Sequence, residues 1–153
     1  MLFSNPSSIV PGNFSLKLEV GNGHGSTNTC IRRFTNTIGS NTLTGYVTYA
    51  DSNLSGGSFT VVQAGWYFMA YSDYYSASDA VMGISVNSNQ LTTSILSITS
   101  ANRLAITDNP AANRPGFCAS LKYLAVNDVI RAHTSGANDG NNVKVWFYMA
   151  KVA

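Results

Sequence analysis

The chain has 153 residues, enough for one domain with its own core, and 44% of them are apolar. Only 10% are charged and the net charge is +2, against about 25% charged in an average soluble protein. Arg32–Arg33 is the one basic pair, and neighbouring strand residues point apart, so nothing here supports binding nucleic acid by neutralising phosphates. A polar but nearly uncharged surface suits a subunit of a stable assembly better than a free monomer.

Taken in chain order, residues 1–12 ("MLFSNPSSIVPG") are interrupted by Pro6 and Pro11. They show neither a basic leader nor an apolar run of signal length. The expectation is no secretory signal, no membrane partner, and synthesis in the cytoplasm. Residues 14–20 alternate, with Phe14, Leu16, Leu18 and Val20 on one face and Ser15, Lys17 and Glu19 on the other. The glycines of 21–28 ("GNGHGSTN") read as a flexible linker. This divides the chain into an N-terminal arm, 1–28, and a main domain, 29–153.

In the main domain, period-two runs are punctuated by Gly, Asn and Ser, the pattern of an all-β sandwich or barrel. Strands are predicted at 30–37, 45–50, 58–63, 65–75, 80–87, 91–98, 103–107, 116–124, 128–134 and 143–152. The Pro-containing loop 108–116 is placed at an exposed end. Two strands are apolar on both faces. In 65–75, Trp66, Phe68 and Ala70 oppose Tyr67, Met69 and Tyr71. In 143–152, Val143, Val145, Phe147 and Met149 oppose Lys144, Trp146, Tyr148 and Ala150. The second sheet of a sandwich covers one face of each. With no helices predicted, another copy of the chain is the simplest cover for the other. The residues assigned to that contact are Trp66, Tyr67, Phe68, Met69, Tyr71, Trp146, Phe147, Tyr148 and Met149.

Catalytic chemistry finds little support. No G-x-S-x-G elbow accompanies the serines, His24 falls in the glycine stretch, and His133 is predicted to face outward beside Arg131. The protein is therefore read as a non-enzyme without cofactor or metal. Asp73, Asp79, Asp108 and Asp139 fall at strand ends and loops, where Asp caps turns. The loop around Asp139 would make at best a weak calcium site, having one carboxylate. Cys30 and Cys118 leave open a disulfide or two buried thiols. Tyr74 and Tyr75 offer a surface on which a sugar could stack.

The stretch "SFTVVQAGWYFMAYSD" resembles the strand pair of the globular heads of complement subcomponent q and their tumour-necrosis-factor-like relatives, with Phe59, Gly65, Tyr67 and Phe68 at the matching positions. "LAVNDVIRAHT" resembles a later element of that family, matched by Leu124, Asp128 and Val129. Asn127 stands where the family usually has Gly, and Asn tolerates the left-handed conformation. The order "IRRFTNT…TYADS…SFTV" is also similar to small jelly-roll proteins of tailed bacteriophages.

The resemblance implies a two-sheet, ten-strand jelly roll that forms a homotrimer, with 65–75 and 143–152 around the threefold axis. The function expected from it is that of a virion structural protein, a capsid decoration or cement protein on the particle surface. Its partners would be itself and the major capsid protein or another virion protein. The arm residues Phe14, Leu16, Leu18 and Val20 would add to a sheet edge of the shell, and three arms would bind multivalently. The alternative is the receptor-binding head of a phage head or tail fibre, recognising a host surface glycan or protein.

Overall fold

A computed structural model describes residues 14–25, 29–75, 80–109, 114–136 and 144–152. Ten strands run β1 (Phe14–His24), β2 (Arg32–Thr37), β3 (Val47–Ala50), β4 (Ser58–Val61), β5 (Gly65–Tyr75), β6 (Ala80–Val86), β7 (Arg103–Asn109), β8 (Arg114–Leu124), β9 (Val129–Thr134) and β10 (Trp146–Lys151). They form two five-stranded sheets, ordered β2-β1-β10-β5-β8 and β3-β4-β9-β6-β7, and every pairing is antiparallel. This is the expected jelly-roll sandwich.

The two-residue period of the sequence decides which side chains are dry. Tyr67, Met69 and Tyr71 of β5 and Phe147 and Met149 of β10 point between the sheets. There Phe147 stacks on Phe59 of β4 with ring centroids 4.4 Å apart, and Phe34 of β2 packs edge-on to Tyr71. Burying side chains of this size contributes about 1.5–3 kcal/mol each, the largest favourable term in the fold.

The N-terminal arm needs correction. Phe14–Val20 does form a strand, but one that belongs to the sandwich. Ser15 faces Ala150 and Leu18 faces Phe147 on β10, while Leu18 also pairs with Thr37 on β2. Leu16 and Leu18 are core residues, because β10 would otherwise have lacked a neighbour and its apolar inner face a flank. The linker reading of 21–28 changes too: β1 continues to His24 through an irregularity between Gly21 and His24, with Gly23 at φ +70°. Residues 1–13 and 26–28 lie outside the described residues, so the domain begins at or before Phe14 rather than at 29.

The predicted strand at 91–98 is not one. Turn hydrogen bonds from Thr93 N–H to the Gln90 carbonyl and from Ile98 N–H to the Ser94 carbonyl replace a ladder, and the Ser94 hydroxyl accepts from the Leu96 amide. Local Ser and Thr bonds of this kind compete with sheet pairing. The segment folds over the outer face of the second sheet, where Ile95 and Ile98 pack on Val81. Gly83 makes this possible: a Cβ there would run into the Ala105 carbonyl and approach the Ile95 side chain to 2.9 Å.

One turn answers to expectation and one loop does not. Asn127 adopts φ +71° and Asp128 caps the turn, accepting the Ala125 amide at 2.8 Å. The loop expected over 108–116 is shorter, since β7 runs to Asn109 and β8 starts at Arg114.

Candidate functional site: an apolar outer sheet face

The two sheets differ in how their outer faces are treated. That of β6 and β9 lies under residues 87–99, whereas that of β10, β5 and β8 carries no such cover among the described residues. On β5 the outward set is Trp66, Phe68 and Ala70. On β8 it is Phe117, Ala119, Leu121 and Tyr123, and on β10 it is Trp146, Tyr148 and Ala150. Register brings them side by side: Trp66 faces Tyr123, Phe68 faces Leu121, and Tyr148 faces Ala70. The rings meet in pairs, Trp66 with Tyr123 at 6.0 Å, Phe68 with Tyr148 at 6.3 Å and Phe117 with Trp146 at 5.9 Å.

Large apolar side chains are left in water. Trp66 is 46% exposed, Phe117 56%, Leu121 57% and Tyr123 52%. Scattered exposed apolar residues are ordinary, but a contiguous aromatic patch marks an interaction surface. β1 bounds it on one side, where Lys17 pairs with Glu19 at 2.6 Å and lies over the Trp146 ring. On the other side the patch runs to β8, the edge of the sheet.

The nine residues assigned to self-contact from sequence thus divide. Trp66, Phe68, Trp146 and Tyr148 lie on the outer face. Tyr67, Met69, Tyr71, Phe147 and Met149 are fully buried between the sheets and are unavailable to a partner. The sequence named both faces of each two-sided strand without choosing between them. It also overlooked Phe117, Leu121 and Tyr123, although "FCASLKY" places them on one period-two set.

The arm residues Phe14, Leu16, Leu18 and Val20 do not form an anchoring surface, since the leucines are in the core and Phe14 packs on Tyr46 at 4.4 Å. Phe59 and Tyr67 are core residues and Gly65 opens β5. Phe68 is on the outer face, and Asp128 and Val129 hold the turn into β9. The Tyr hydroxyls also leave no sugar platform at 74–75: Tyr75 is buried with its OH towards Asp73, and the Lys144 ammonium covers the Tyr74 ring.

Two of the polar residues singled out from sequence, Asp73 and His133, have partners within the fold. Asp73, read as a turn cap, sits in the interior. Its carboxylate takes Arg32 Nη2 at 2.8 Å, the Tyr74 amide at 2.7 Å and the Tyr71 hydroxyl. Burial pushes its pKa up, and Arg32 and these donors oppose the rise. His133 does not face solvent as expected. It is enclosed between Ser85 Oγ at 3.1 Å and the Thr93 carbonyl at 2.7 Å, because residues 87–99 cover the face to which it points. Ser85 and His133 are in contact, but both are 0% exposed, so no substrate reaches them. Cys30 and Cys118 are separate buried thiols, and burial raises that of Cys118 to about 12. Among the described residues no three acidic, His or Cys side chains gather as a metal site. Asp79, Val143 and the Asp139 loop lie outside them.

No protein-family model matches the chain, and no curated protein matches its sequence. Solved structures do resemble it in fold. The crystal structure of murine APRIL at pH 8.5 superposes with a TM-score of 0.58 at 13% identity, covering 92% of this chain and 100% of that one. The same mouse protein at pH 5.0 gives 0.59 at 13% identity with the same coverage. Eiger TNF from S. frugiperda gives 0.55 at 12% identity, covering 92% of this chain and 93% of that one. The shared fold is the TNF-like jelly roll.

Proposed function

We propose that the protein is a non-catalytic structural subunit that self-associates as a homotrimer through the outer face of β10, β5 and β8, and that it serves as a decoration or cement protein on the surface of a bacteriophage particle. The observation that carries the assembly is the exposed aromatic set of Trp66, Phe117, Leu121 and Tyr123. These rings bury large area, and their NH and OH groups still reach polar partners at an interface. A patch that runs off one sheet edge and stops at a charged strand on the other side suits a cyclic arrangement, in which each copy presents different elements to its two neighbours.

The particle location rests on the sequence resemblance to phage jelly-roll proteins and on the low charge. Because β1 is committed to the sandwich, attachment to a shell falls to residues N-terminal to Phe14 or to the outer loops. Imaging of the particle with the protein located on its capsid is the expected result. Light scattering of the purified chain at micromolar concentration is expected to give three times the monomer mass. A monomer there, or a protein absent from particles, overturns the reading. Binding of purified trimers to host cells, with none to the capsid, would replace it by a receptor-binding head.

A further inference from the structure

Residues 88–99 are held on the second sheet by three basic side chains, each donating to a different backbone carbonyl of that segment. Arg131 Nη1 reaches Ser88 O at 3.2 Å, His133 Nε2 reaches Thr93 O at 2.7 Å, and Arg103 Nη1 reaches Leu96 O at 3.1 Å. Histidine is the side chain whose charge ordinarily changes between pH 5 and 8, which singles out His133, the central tether. Since Nε2 donates to a carbonyl, Nδ1 is the acceptor for the Ser85 hydroxyl in the neutral ring.

We propose that His133 is an acid-released clasp: protonation of its ring loosens residues 88–99 from the outer face of the second sheet and uncovers the apolar strip of Val81, Ile95 and Ile98. Among the described residues the surroundings give an imidazolium no anion to pair with. A proton on Nδ1 forces the Ser85 hydroxyl to turn and lose its acceptor. On the same strand, Arg131 is a like charge. Strand β6 and residues 87–102 contribute no charged group, and β4 contributes none. From β7 comes Arg103, another cation, and the exposed Asp108 at the far end, opposite Val81 rather than Ser85. Towards the first sheet stand His24 and Arg32. Asp73 is already taken by Arg32, and Asp128, ahead of β9, by Asn87 and the Ala125 amide. Burial and Arg131 accordingly lower the pKa of His133 from 6.5, with the bond to the Thr93 carbonyl opposing.

Opening relieves this cost because the freed ring regains water. Binding of one proton by the open form makes the open population rise by up to tenfold per pH unit below about 6.5. The aromatic face lies on the other sheet, so the strands proposed to self-associate need not open with it.

Amide hydrogen exchange on the full chain, corrected for the intrinsic rate, tests this between pH 7 and 5. The reporter is the Ile95 amide, bonded to the Thr134 carbonyl at 3.0 Å. Its protection is expected to fall with a slope approaching tenfold per unit and to lie well below that of the β5 and β8 amides throughout, as exchange from a separate local opening does. His133→Gln, which can still donate to Thr93, is expected to flatten that slope, and His24→Gln to leave it. The proposal is overturned if Ile95 protection in the natural chain is independent of pH. It is equally overturned if Ile95 and β5 share one level of protection across this range, so that no separate opening exists, or if a folded His133→Gln keeps the slope.

Discussion

The guanidinium of Arg32 and the carboxylate of Asp73 meet at 2.8 Å in the interior, with neither side chain exposed. The pair joins β2 to β5 across β1 and β10 at one end of the first sheet, and the hydroxyls of Tyr71 and Tyr75 turn towards the same carboxylate. Desolvation makes such a pair a modest net stabiliser but a costly one to break. Asp73→Ala should lower stability by about 3–5 kcal/mol, because it takes the carboxylate away from a buried cation and from the Tyr71 hydroxyl. Arg32→Met combined with Asp73→Leu should cost less than Asp73→Ala alone, the residue of the loss being the Tyr71 hydroxyl without its acceptor. Urea denaturation of the single and paired variants measures both.

The exposed face allows a test that separates association from folding. Phe117→Glu and Leu121→Lys change side chains more than half exposed, so the folded subunit should lose little, within about 0.5 kcal/mol. If copies bury this face, a charge placed there should weaken self-association by tenfold or more, about 1.4 kcal/mol. Leu54→Lys, at an equally exposed site in the turn between β3 and β4, should leave the mass of the assembly unchanged. Light scattering across a dilution series gives the comparison.

What the sequence disclosed and what it withheld follow from the same periodicity. Alternation is local, so β5, β6 and β9 were legible nearly to the residue, and Asn127 signalled its left-handed turn. Alternation cannot say which of two apolar faces is inside, and for Tyr67 against Trp66 that depended on where the second sheet lies. Neither can it say whether a clean strand such as Phe14–Val20 pairs within the chain or beyond it, since its partners β10 and β2 are remote in sequence. "LTTSILSI" failed for a different reason: Ser94 satisfies backbone groups locally, and only Ile95 and Ile98, three apart, find a surface to bury on. His133 looked outward because its cover came from this misread segment.

Val20 occupies φ +59°, a left-handed conformation that a β-branched residue adopts at a cost of roughly 1–2 kcal/mol. The irregularity that follows, up to His24, is where β1 changes its pairing with β2. Val20→Asn keeps the conformation without the branched Cβ and should raise stability by about 0.5–1 kcal/mol. At Asn127, also left-handed, the reverse change Asn127→Val should lower it by a similar or larger amount. Thermal unfolding of the two variants should therefore shift in opposite directions.

His24 links the two sheets. Its Nε2 lies 3.0 Å from the hydroxyl of Thr134, which itself donates towards the carbonyls of Cys30 and Gly136, so the imidazole is the donor. Burial, and then the positive charge of Arg32, lower its pKa from 6.5 to about 4. The folded state thus holds His24 neutral where the unfolded chain would take up a proton. Its contribution to stability is complete above pH 6.5, declines as the pH falls, and is gone below about 4. A shift of about 2.5 units corresponds to about 3 kcal/mol across that window. Urea midpoints measured from pH 7 to pH 4 should decline, and His24→Gln, which can still donate to Thr134, should remove the share that belongs to His24, leaving that of His133. A variant whose midpoint falls as steeply as that of the natural chain would assign the acid sensitivity to other groups.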